Sequence, residues 1–500
     1  FIADRNNIPR TWMDHGCWPT YTTLLYVDQT GDLDFLLQKR EYFRDPQIFR
    51  CHKRDTAWTE KYGNQLRTRK GEIYRGTIFE HMLVQNLTAF FCVGEHNLCR
   101  IEGADWNDGL DMAAERGESV AFSAFYAWNL NRLAQVAGRL AAAGRPHVEV
   151  AEELLLLLDR LPRRKAVRYD SWRAKGAHLK QFLDVVAGDV SGRKVRVRVI
   201  DLVKDLRAKS ADLVTRIRRQ EWIRIDAKNR CFNGYYDNNG RRVEGPSRSP
   251  RSERGKGPRM TLTGQVFAVM SGAATDAQID AVIRSVDRYL RDRRDSGVRL
   301  NTDFGAVQPA LGRAFSFAYG EKENGAVFSH MAVMYAFALY ERRRAAAGRS
   351  VWHALYRMAT DQQRARIFPC LPEYFNNSGR GMYGYLTGSA SWLGYLLLTQ
   401  VCGVRGAEGD LVLDPQLMPE DFDGAGRASV RMPFAERDLL VTYLNPDGIA
   451  AGNYVVQQVL AYGQAVAFKP DDNGVRISRA AVRKFDADRQ TRLSVVLVKK

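Results

Sequence analysis

A short acidic turn, running from Gly103 to Gly109, carries the side chains of this chain that are best suited to chemistry. Asp105, Trp106 and Asp108 lie between its two glycines. An indole ring can stack on the face of a sugar, carboxylates can accept hydrogen bonds from sugar hydroxyls, and a protonated carboxyl can give its proton to a glycosidic oxygen. Asp and Gly are also common in ordinary surface turns, so the turn alone leaves both interpretations open.

A second polar run, from Tyr319 to His330, opens an apolar helix and contains Lys322 and Glu323. Charges at such a position can form a solvated helix cap. They can also build a sugar and anion site, because the first turn of a helix has free N–H groups that attract negative charge. A single His such as His330 is more often structural than a ligand, so the run needs other evidence.

A third segment places Thr387, Gly388 and Ser389 at the start of another predicted helix. Small residues with hydroxyls allow a phosphate to approach the backbone closely, and the same residues can simply cap the helix. The nearby residues 379–384 match the spacing GxGxxG. No predicted strand precedes them and no βαβ unit surrounds them, so a dinucleotide site is rejected.

The bulk composition is that of a folded protein with more than one domain. The chain has 500 residues, of which 45% are hydrophobic and 11% are aromatic. No apolar run approaches the roughly 20 residues that span a bilayer. Seven scattered cysteines with no CxxC pair indicate free thiols in a reducing compartment, and no compact metal motif appears. We therefore predict a cytoplasmic protein without a metal or other cofactor.

The net charge of +18 is concentrated between residues 160 and 230, where 21 Lys and Arg face 8 Asp and Glu. Nucleic-acid binding is one explanation. The basic residues alternate with apolar ones, strand-like over 195–199 and helix-like over 202–217, which favours the solvated faces of ordinary elements. We predict a basic helical insertion at about 150–230, no nucleic-acid partner and no membrane partner.

Helix signals dominate the chain up to about residue 403. Capping-box patterns occur at Thr77-x-x-Glu80 and Thr275-x-x-Gln278, and Glu118-Ser119 begins another long helix. Apolar residues predict further helices over 327–345 and 389–401.

After Gly403 the pattern changes to short β-type runs separated by turn signals. The predicted strands are 411–413, 428–432, 439–443, 454–456 and 493–497. We predict a large helical domain over 1–403 and a small β-sandwich over 404–500.

In their order along the chain these segments resemble glycoside hydrolase family 94, the inverting β-glucoside phosphorylases, and most closely its cellodextrin and laminaribiose phosphorylase branches. The resemblance covers nearly the whole chain. It is carried by residues 13–19, the acidic turn, 117–119, 232–237, 322–325 through His330, 371–375 and 385–388.

The resemblance implies a mainly α fold, an (α/α)6 barrel followed by a C-terminal β-sandwich. It implies phosphorolysis of cellodextrin-like β-gluco-oligosaccharides to α-glucose 1-phosphate by a homodimer, with inorganic phosphate as co-substrate. The implied roles are general acid for Asp108, sugar binding for Trp106, Asp105, Lys322, Glu323 and Glu373, and phosphate binding for His330, Thr387 and Gly388.

In that mechanism the phosphate anion needs no general base. It attacks the anomeric carbon while Asp108 protonates the leaving oxygen, so Asp108 must hold its proton, which repulsion from Asp105 and the phosphate favours. Two alternatives stay open. The chain could be an inverting hydrolase in which Glu323 activates water, or a carbohydrate-binding fragment without activity.

The chain also departs from the family pattern. The resemblance implies that it corresponds to the C-terminal part of a phosphorylase, without the upstream Arg-Asp segment that grips donor sugar and phosphate. Arg44-Asp45 imitates that pair within what we interpret as an accessory loop. His15 stands where the resemblance predicts an acid.

Overall fold

The computed structural model describes residues 2–3, 9–104, 106, 109–246, 257–367, 370–384 and 388–500, with the backbone alone for residues 2–3 and 9–10. The chain divides into two compact units. The first comprises Phe1–Thr22, Leu33–Ser285 and Asn301–Tyr319, and the second comprises Thr23–Asp32, Val286–Leu300 and Gly320–Lys500.

The first unit is built mainly from helices. They are α1 (Cys17–Thr30), α2 (Ile78–Phe91), α3 (Val120–Ala142), α4 (Trp172–Val185), α5 (Val199–Gln220), α6 (Leu262–Met270) and α7 (Asp276–Tyr289). Residues 23–30 of α1 and 286–289 of α7 belong to the second unit. Helix α3 packs against α5 and α6. Its Phe122 and Phe125 meet Phe267 of α6 at ring-centroid distances of 4.7 and 5.4 Å. This aromatic contact lies in the core of the unit.

Short strands join these helices. They are β1 (Ile2–Ala3), β2 (Pro9–Arg10), β3 (Lys39–Glu41), β4 (Gln47–Ile48), β5 (Lys53–Arg54), β6 (Arg75–Thr77), β7 (Cys99–Arg100), β8 (Glu118–Ser119), β9 (His147–Ala151), β10 (Lys194–Arg198), β11 (Trp222–Arg224), β12 (Arg230–Phe232) and β13 (Tyr235–Tyr236). Strands β7, β8 and β13 form a three-stranded antiparallel sheet. This sheet frames the two ends of the segment that contains the acidic turn.

The second unit combines helices with sheets. Its helices are α8 (Ser329–Glu341), α9 (Ala345–Thr360), α10 (Gln362–Ala365), α11 (Gly388–Leu396), which continues as a π-helical turn over Leu397–Val401, and α12 (Arg479–Val482). Its strands are β14 (Val327–Phe328), β15 (Tyr374–Phe375), β16 (Gly381–Met382), β17 (Val404–Ala407), β18 (Asp410–Leu413), β19 (Arg427–Phe434), β20 (Arg437–Leu444), β21 (Tyr454–Ala461), β22 (Gln464–Ala465), β23 (Lys469–Pro470), β24 (Val475–Ile477) and β25 (Thr491–Lys499). Helix α8 packs against α9 and α11.

The residues after 404 form two sheets, with the orders β17-β18-β24-β23 and β19-β20-β25-β21-β22. Each of the five predicted strand runs lies within an observed strand, so the β-rich C-terminal part is confirmed. In β25 the side chains of Leu493, Val495 and Leu497 are buried while their neighbours are more exposed. This alternation has the two-residue period of a strand with one buried face. The sequence predicts the strand because its apolar residues follow the same period.

The two helix starts predicted from capping-box patterns are confirmed, although only one of the two boxes is complete. At α7 the Thr275 N–H donates to Gln278 Oε1 at 3.0 Å and the Gln278 N–H donates to Thr275 Oγ1 at 3.3 Å, which is a complete capping box. At α2 the Glu80 N–H donates to Thr77 Oγ1 at 3.1 Å. The Glu80 carboxylate instead accepts from Tyr74 and Lys194, at 2.8 and 3.0 Å. Because the Glu80 side chain bonds to residues distant in sequence, it does not complete the capping box with Thr77.

The single helix predicted over 327–345 is wrong at both ends. Val327 and Phe328 form β14, which pairs with β15. Helix α8 ends at Glu341, and Arg343 has a left-handed φ of 58°. An apolar run of this length does not by itself distinguish a buried strand from the first turn of a helix.

The basic segment predicted as helical contains α4 and α5 but also the strand pairs β9–β10 and β11–β12. Strand β10 holds most of the alternating run at 195–199. In α5 the Lys209 Nζ is fully buried and lies 2.7 Å from Asp159 Oδ1 and 2.6 Å from Asp205 Oδ2. Lys175 is likewise fully buried. Part of the positive charge is therefore structural, because a buried ammonium is held by its carboxylate partners and is not presented to a polyanion.

Candidate functional site

The structure describes six of the nine predicted site residues. Trp106 lies in the first unit, and Lys322, Glu323, His330, Glu373 and Gly388 lie in the second. Asp105, Asp108 and Thr387 lie outside the described residues, so their roles stay predictions.

The N-terminal flank of the acidic turn is held by an ion pair and by backbone hydrogen bonds. Arg50 donates to both carboxylate oxygens of Glu102, at 2.8 and 2.6 Å, and Glu102 is buried with a left-handed φ of 59°. The Gly103 N–H donates to the Thr11 carbonyl at 2.9 Å. A buried bidentate pair fixes an otherwise unfavourable backbone conformation next to the turn.

The C-terminal flank is fixed as well. Leu110 has a φ of 60°, and the Asp111 carboxylate accepts from the Arg313 N–H at 2.9 Å. Gly312, with a φ of 119°, lies so close to Asp111 that a β-carbon there would overlap it. Trp106 itself is half-buried. Both flanks of the turn are therefore anchored to other residues of the first unit.

Two residues singled out by sequence have other surroundings. Arg44 ion-pairs with Asp55 within its own loop, and it is Arg50 of that loop that contacts the flank of the turn. His15 stacks on Trp12 with ring centroids 5.5 Å apart, and burial lowers its pKa. Neither Arg44 nor His15 is placed by these contacts on the acidic turn.

A cavity of about 450 Å³ lies in the first unit, beside the Arg50 loop. Its lining includes Trp12, His15, Arg50 and Glu80, and none of the predicted site residues that the structure describes. The cavity is therefore not formed by those six residues, and it lies beside the Arg50 side chain that contacts Glu102.

In the second unit a small sheet gathers the predicted residues. Strands β14, β15 and β16 pair antiparallel, with Phe328 opposite Tyr374. The Ser329 N–H donates to the Glu373 carbonyl at 2.9 Å, which ties the start of α8 to the residue before β15. The Glu373 N–H in turn lies 3.2 Å from the Tyr383 carbonyl oxygen. Glu373 is thus held between the helix that carries His330 and the segment after β16.

Lys322 and Glu323 lie in a tight turn just before β14. The Asn324 N–H donates to the Glu321 carbonyl at 3.0 Å, and Lys322 has a left-handed φ of 47°. Glu323 is buried, whereas Lys322 is half-buried, with its Nζ 4.9 Å from the ring centroid of Tyr383. The turn therefore places an ammonium beside the loop that follows β16.

His330 and Gly388 are in direct contact. A β-carbon added at Gly388 would lie 2.5 Å from Cε1 of His330, a distance at which the ring would have to move. His330 lies in the first turn of α8 and Gly388 is the first residue of α11. The contact brings two helix N-termini together, and their N–H groups and dipoles favour an anion there.

Burial determines the charge of the imidazole in this contact. The surrounding protein lowers the pKa of His330 to about 4, so the ring is neutral near pH 7. A neutral imidazole can donate one hydrogen bond and accept another. Ser329, also in the first turn of α8, is fully buried, and its hydroxyl has no hydrogen-bond partner among the described residues.

Tyr383 is the residue of this region that sequence reasoning missed. It lies inside residues 379–384, whose glycine spacing resembles a dinucleotide motif and draws attention away from the aromatic residue. An aromatic residue between glycines in a loop was the available signal, because such a residue is frequently exposed for binding.

The described residues contain neither a metal-binding cluster nor a membrane-spanning helix. No group of three or more His, Cys, Asp or Glu side chains there is arranged to hold a metal ion. Within the same residues, no helix combines the length and the apolar character needed to cross a bilayer.

The comparison with protein families identifies the class. The model for the glycosyl hydrolase 94 superfamily, catalytic domain, matches residues 59–145 and 205–403, which is more than half of the chain. The chain therefore belongs to the glycosyl hydrolase 94 superfamily, and the resemblance stated from its motifs is confirmed. The unmatched stretch 146–204 covers much of the predicted insertion.

Several curated relatives are named as glycoside phosphorylases. A 3-O-beta-D-glucopyranosyl-beta-D-glucuronide phosphorylase of Paenibacillus borealis is 24% identical over 77% of this chain and 42% of its own length. A cellobionic acid phosphorylase of Neurospora crassa is 28% identical over 32% of this chain and 22% of its own length. An N,N'-diacetylchitobiose phosphorylase of Vibrio furnissii is 21% identical over 92% of this chain and 46% of its own length. The chain thus spans less than half the length of these relatives.

Proposed function

We propose that this chain carries the catalytic residues of an inverting phosphorylase. Its substrates are β-linked gluco-oligosaccharides of the cellodextrin type and inorganic phosphate, and its products are α-glucose 1-phosphate and the oligosaccharide shortened by one glucose unit. Membership of the family and the phosphorylase activity of the named relatives support this class of reaction.

The observation that carries the proposal is the contact between His330 and Gly388. Phosphate can be held by hydrogen-bond donors at helix N-termini, and the close approach of two such ends beside a neutral imidazole supports a phosphate site here. The proposed site is completed by Thr387, which precedes Gly388 in sequence.

The roles of the other site residues are assigned from the direction in which phosphate displaces the leaving sugar. Phosphate attacks the anomeric carbon from one face, and Asp108 protonates the oxygen that leaves on the other, so the configuration inverts. Trp106 and Asp105 bind the donor glucose. Lys322 and Glu323 bind the acceptor sugar.

Glu373 is the fourth sugar-binding residue of the proposal. Its backbone joins the start of α8 to the segment after β16, which supports a position near both the phosphate and the sugars. Its side chain is proposed to accept a hydrogen bond from a sugar hydroxyl.

The finer expectations belong to the same proposal. The helices form an (α/α)6 barrel followed by a β-sandwich, and the domain boundary lies near residue 404. The protein acts in the cytoplasm as a homodimer, uses no cofactor, and binds neither nucleic acid nor membrane.

The test is the phosphate dependence of sugar release by the 500-residue chain. Cellotriose, laminaribiose and cellobionic acid are each incubated with and without inorganic phosphate, and glucose 1-phosphate and glucose are assayed separately. We expect glucose 1-phosphate from cellotriose only when phosphate is present.

Two outcomes would overturn the proposal. Release of glucose at the same rate without phosphate would indicate the hydrolase, with Glu323 as the base that activates water. Binding of cellotriose in a titration, without any product in the assay, would indicate a carbohydrate-binding protein.

A further inference from the structure

Tyr383 is an exposed aromatic residue in a strained backbone conformation. Its side chain is 41% exposed, and its φ is 58°, in the left-handed region that residues other than glycine rarely adopt. Such a conformation is unfavourable and persists only where the surrounding structure holds it, most often at functional sites. Nothing in the proposed displacement reaction uses this ring.

The backbone around Tyr383 is closely packed. Its carbonyl lies 3.2 Å from the Glu373 N–H, and a β-carbon at Gly381 would lie 2.5 Å from Ile367. Gly384, on the other side, would place a β-carbon 3.1 Å from the same isoleucine. The backbone of residues 381–384 is therefore packed against Ile367, while the Tyr383 ring is exposed to solvent.

The ring is also oriented by its neighbours. Its centroid lies 5.9 Å from that of Tyr374 and 4.9 Å from the Lys322 ammonium. Tyr374 donates a hydrogen bond to Glu321 at 3.4 Å, next to Lys322 in the same turn. A cation over an aromatic face stabilises the arrangement of both groups.

We propose that Tyr383 is a stacking platform for a second acceptor sugar, one glucose unit beyond the sugar bound by Lys322 and Glu323. This inference rests on the proposed function and deepens it, because it makes the preferred substrates at least three sugar units long. The C–H face of a β-linked glucose is apolar and fits an exposed aromatic ring, whereas its hydroxyls can reach the neighbouring Lys322.

The competing explanation is structural. Tyr383 could act only by holding Lys322 in place, in which case it would be a positioning residue that never touches substrate. The two roles differ in their dependence on chain length. A platform acts only on acceptors that reach it, whereas misplacing Lys322 weakens the binding of the first acceptor sugar as well.

The experiment compares Tyr383→Ala with the conservative Tyr383→Phe in the synthetic direction. Alpha-glucose 1-phosphate is the donor, and glucose, cellobiose and cellotriose are the acceptors. We expect Tyr383→Ala to raise KM for cellobiose and cellotriose roughly tenfold while KM for glucose and for the donor stays unchanged, and Tyr383→Phe to behave as wild type. An equal rise for glucose, or no rise for any acceptor, would overturn the platform.

Calorimetric titration of the same three sugars separates this inference from the proposed function. Suppose that the wild-type chain forms no product but binds cellotriose more tightly than glucose, and that Tyr383→Ala loses this difference in affinity whereas Tyr383→Phe keeps it. The stacking role of Tyr383 would then be supported and the proposed reaction contradicted. If turnover is found and the preference for longer acceptors survives in Tyr383→Ala, the reaction stands and the platform falls. Equal affinity for all three sugars in the wild type contradicts the platform.

Discussion

The imidazole of His330 packs on the backbone of Gly388, so closely that a β-carbon at position 388 would lie 2.5 Å from the ring. The relationship joins the first turns of α8 and α11, which are 58 residues apart in sequence. It explains why glycine stands at position 388 without any appeal to backbone conformation, because the space is occupied by a side chain of the proposed phosphate site.

Gly388→Ala should therefore weaken phosphate binding. The added methyl group displaces His330, and the loss of a hydrogen bond to a charged ligand raises KM for phosphate by roughly tenfold or more. Steady-state kinetics with phosphate and with cellotriose as the varied substrate would show the change in the phosphate series alone.

The matched control is Gly394→Ala in the same helix, where an added β-carbon meets nothing within 4 Å. It should leave KM for phosphate unchanged and, like other Gly→Ala changes within helices, stabilise the protein slightly. Equal effects of the two substitutions on KM would contradict the phosphate role of Gly388.

His330 should stay neutral across the range in which other histidines titrate. Burial lowers its pKa to about 4, below the unfolded value of about 6.5. Its contribution to folding stability is thus present above pH 6.5 and is lost as the pH falls toward 4. Proton NMR of the imidazole Cε1–H signals, with the His330 signal assigned by its absence in His330→Asn, should show no titration between pH 8 and pH 5.5. A midpoint near pH 6.5 in the free protein would contradict the proposed neutral donor.

Glu244 should give the opposite dependence of stability on pH. It is 2% exposed, and burial raises its pKa to about 7 in the folded protein. Between the ordinary pKa of a glutamate and pH 7, the unfolded chain has lost this proton while the folded chain keeps it. The free energy of unfolding therefore falls by up to about 1.4 kcal/mol for each unit by which the pH rises.

Thermal unfolding of wild type and Glu244→Gln at pH 5, 6, 7 and 8 measures this contribution. Gln keeps an oxygen that can accept the hydrogen bond from Thr261, so the variant should fold. The difference in midpoint between the two proteins should change between pH 5 and 7 and stay constant above 7.5. A difference that is the same at every pH would show that Glu244 does not titrate in this range.

Arg50 should matter to turnover through the acidic turn. Arg50→Ala removes the bidentate partner of buried Glu102, and breaking a buried pair costs about 3–5 kcal/mol. We expect a large fall in kcat with little change in KM for phosphate. Arg44→Ala, which breaks an ion pair with Asp55 in the same loop, is the control. Similar kcat values for the two variants would mean that the Glu102 flank does not position the turn.

The sequence was sufficient where one local pattern determines one element. Alternation in 493–497 and the Thr275–Gln278 capping box each predicted what is observed, because their period or chemistry lies within a few residues. Family motifs also marked His330 and Gly388 as members of one site.

Contacts between distant segments could not be predicted in this way. Nothing near Glu102 indicates that Arg50 would bind it, and Val327 is apolar whether it lies in β14 or in a helix. Tyr383 is a candidate binding residue because its ring is exposed to solvent, and a single sequence does not show which side chains are exposed. These features depend on which surfaces meet after folding.

The most direct test of the central claim is the identity of the product formed from cellotriose and inorganic phosphate by wild type and by Asp108→Asn. Proton NMR during the reaction should show α-glucose 1-phosphate as the first product of the wild-type chain and no product from the variant, although calorimetry shows that the variant still binds cellotriose. Formation of the β anomer, or undiminished turnover by Asp108→Asn, would contradict inversion by phosphate with Asp108 as the single acid.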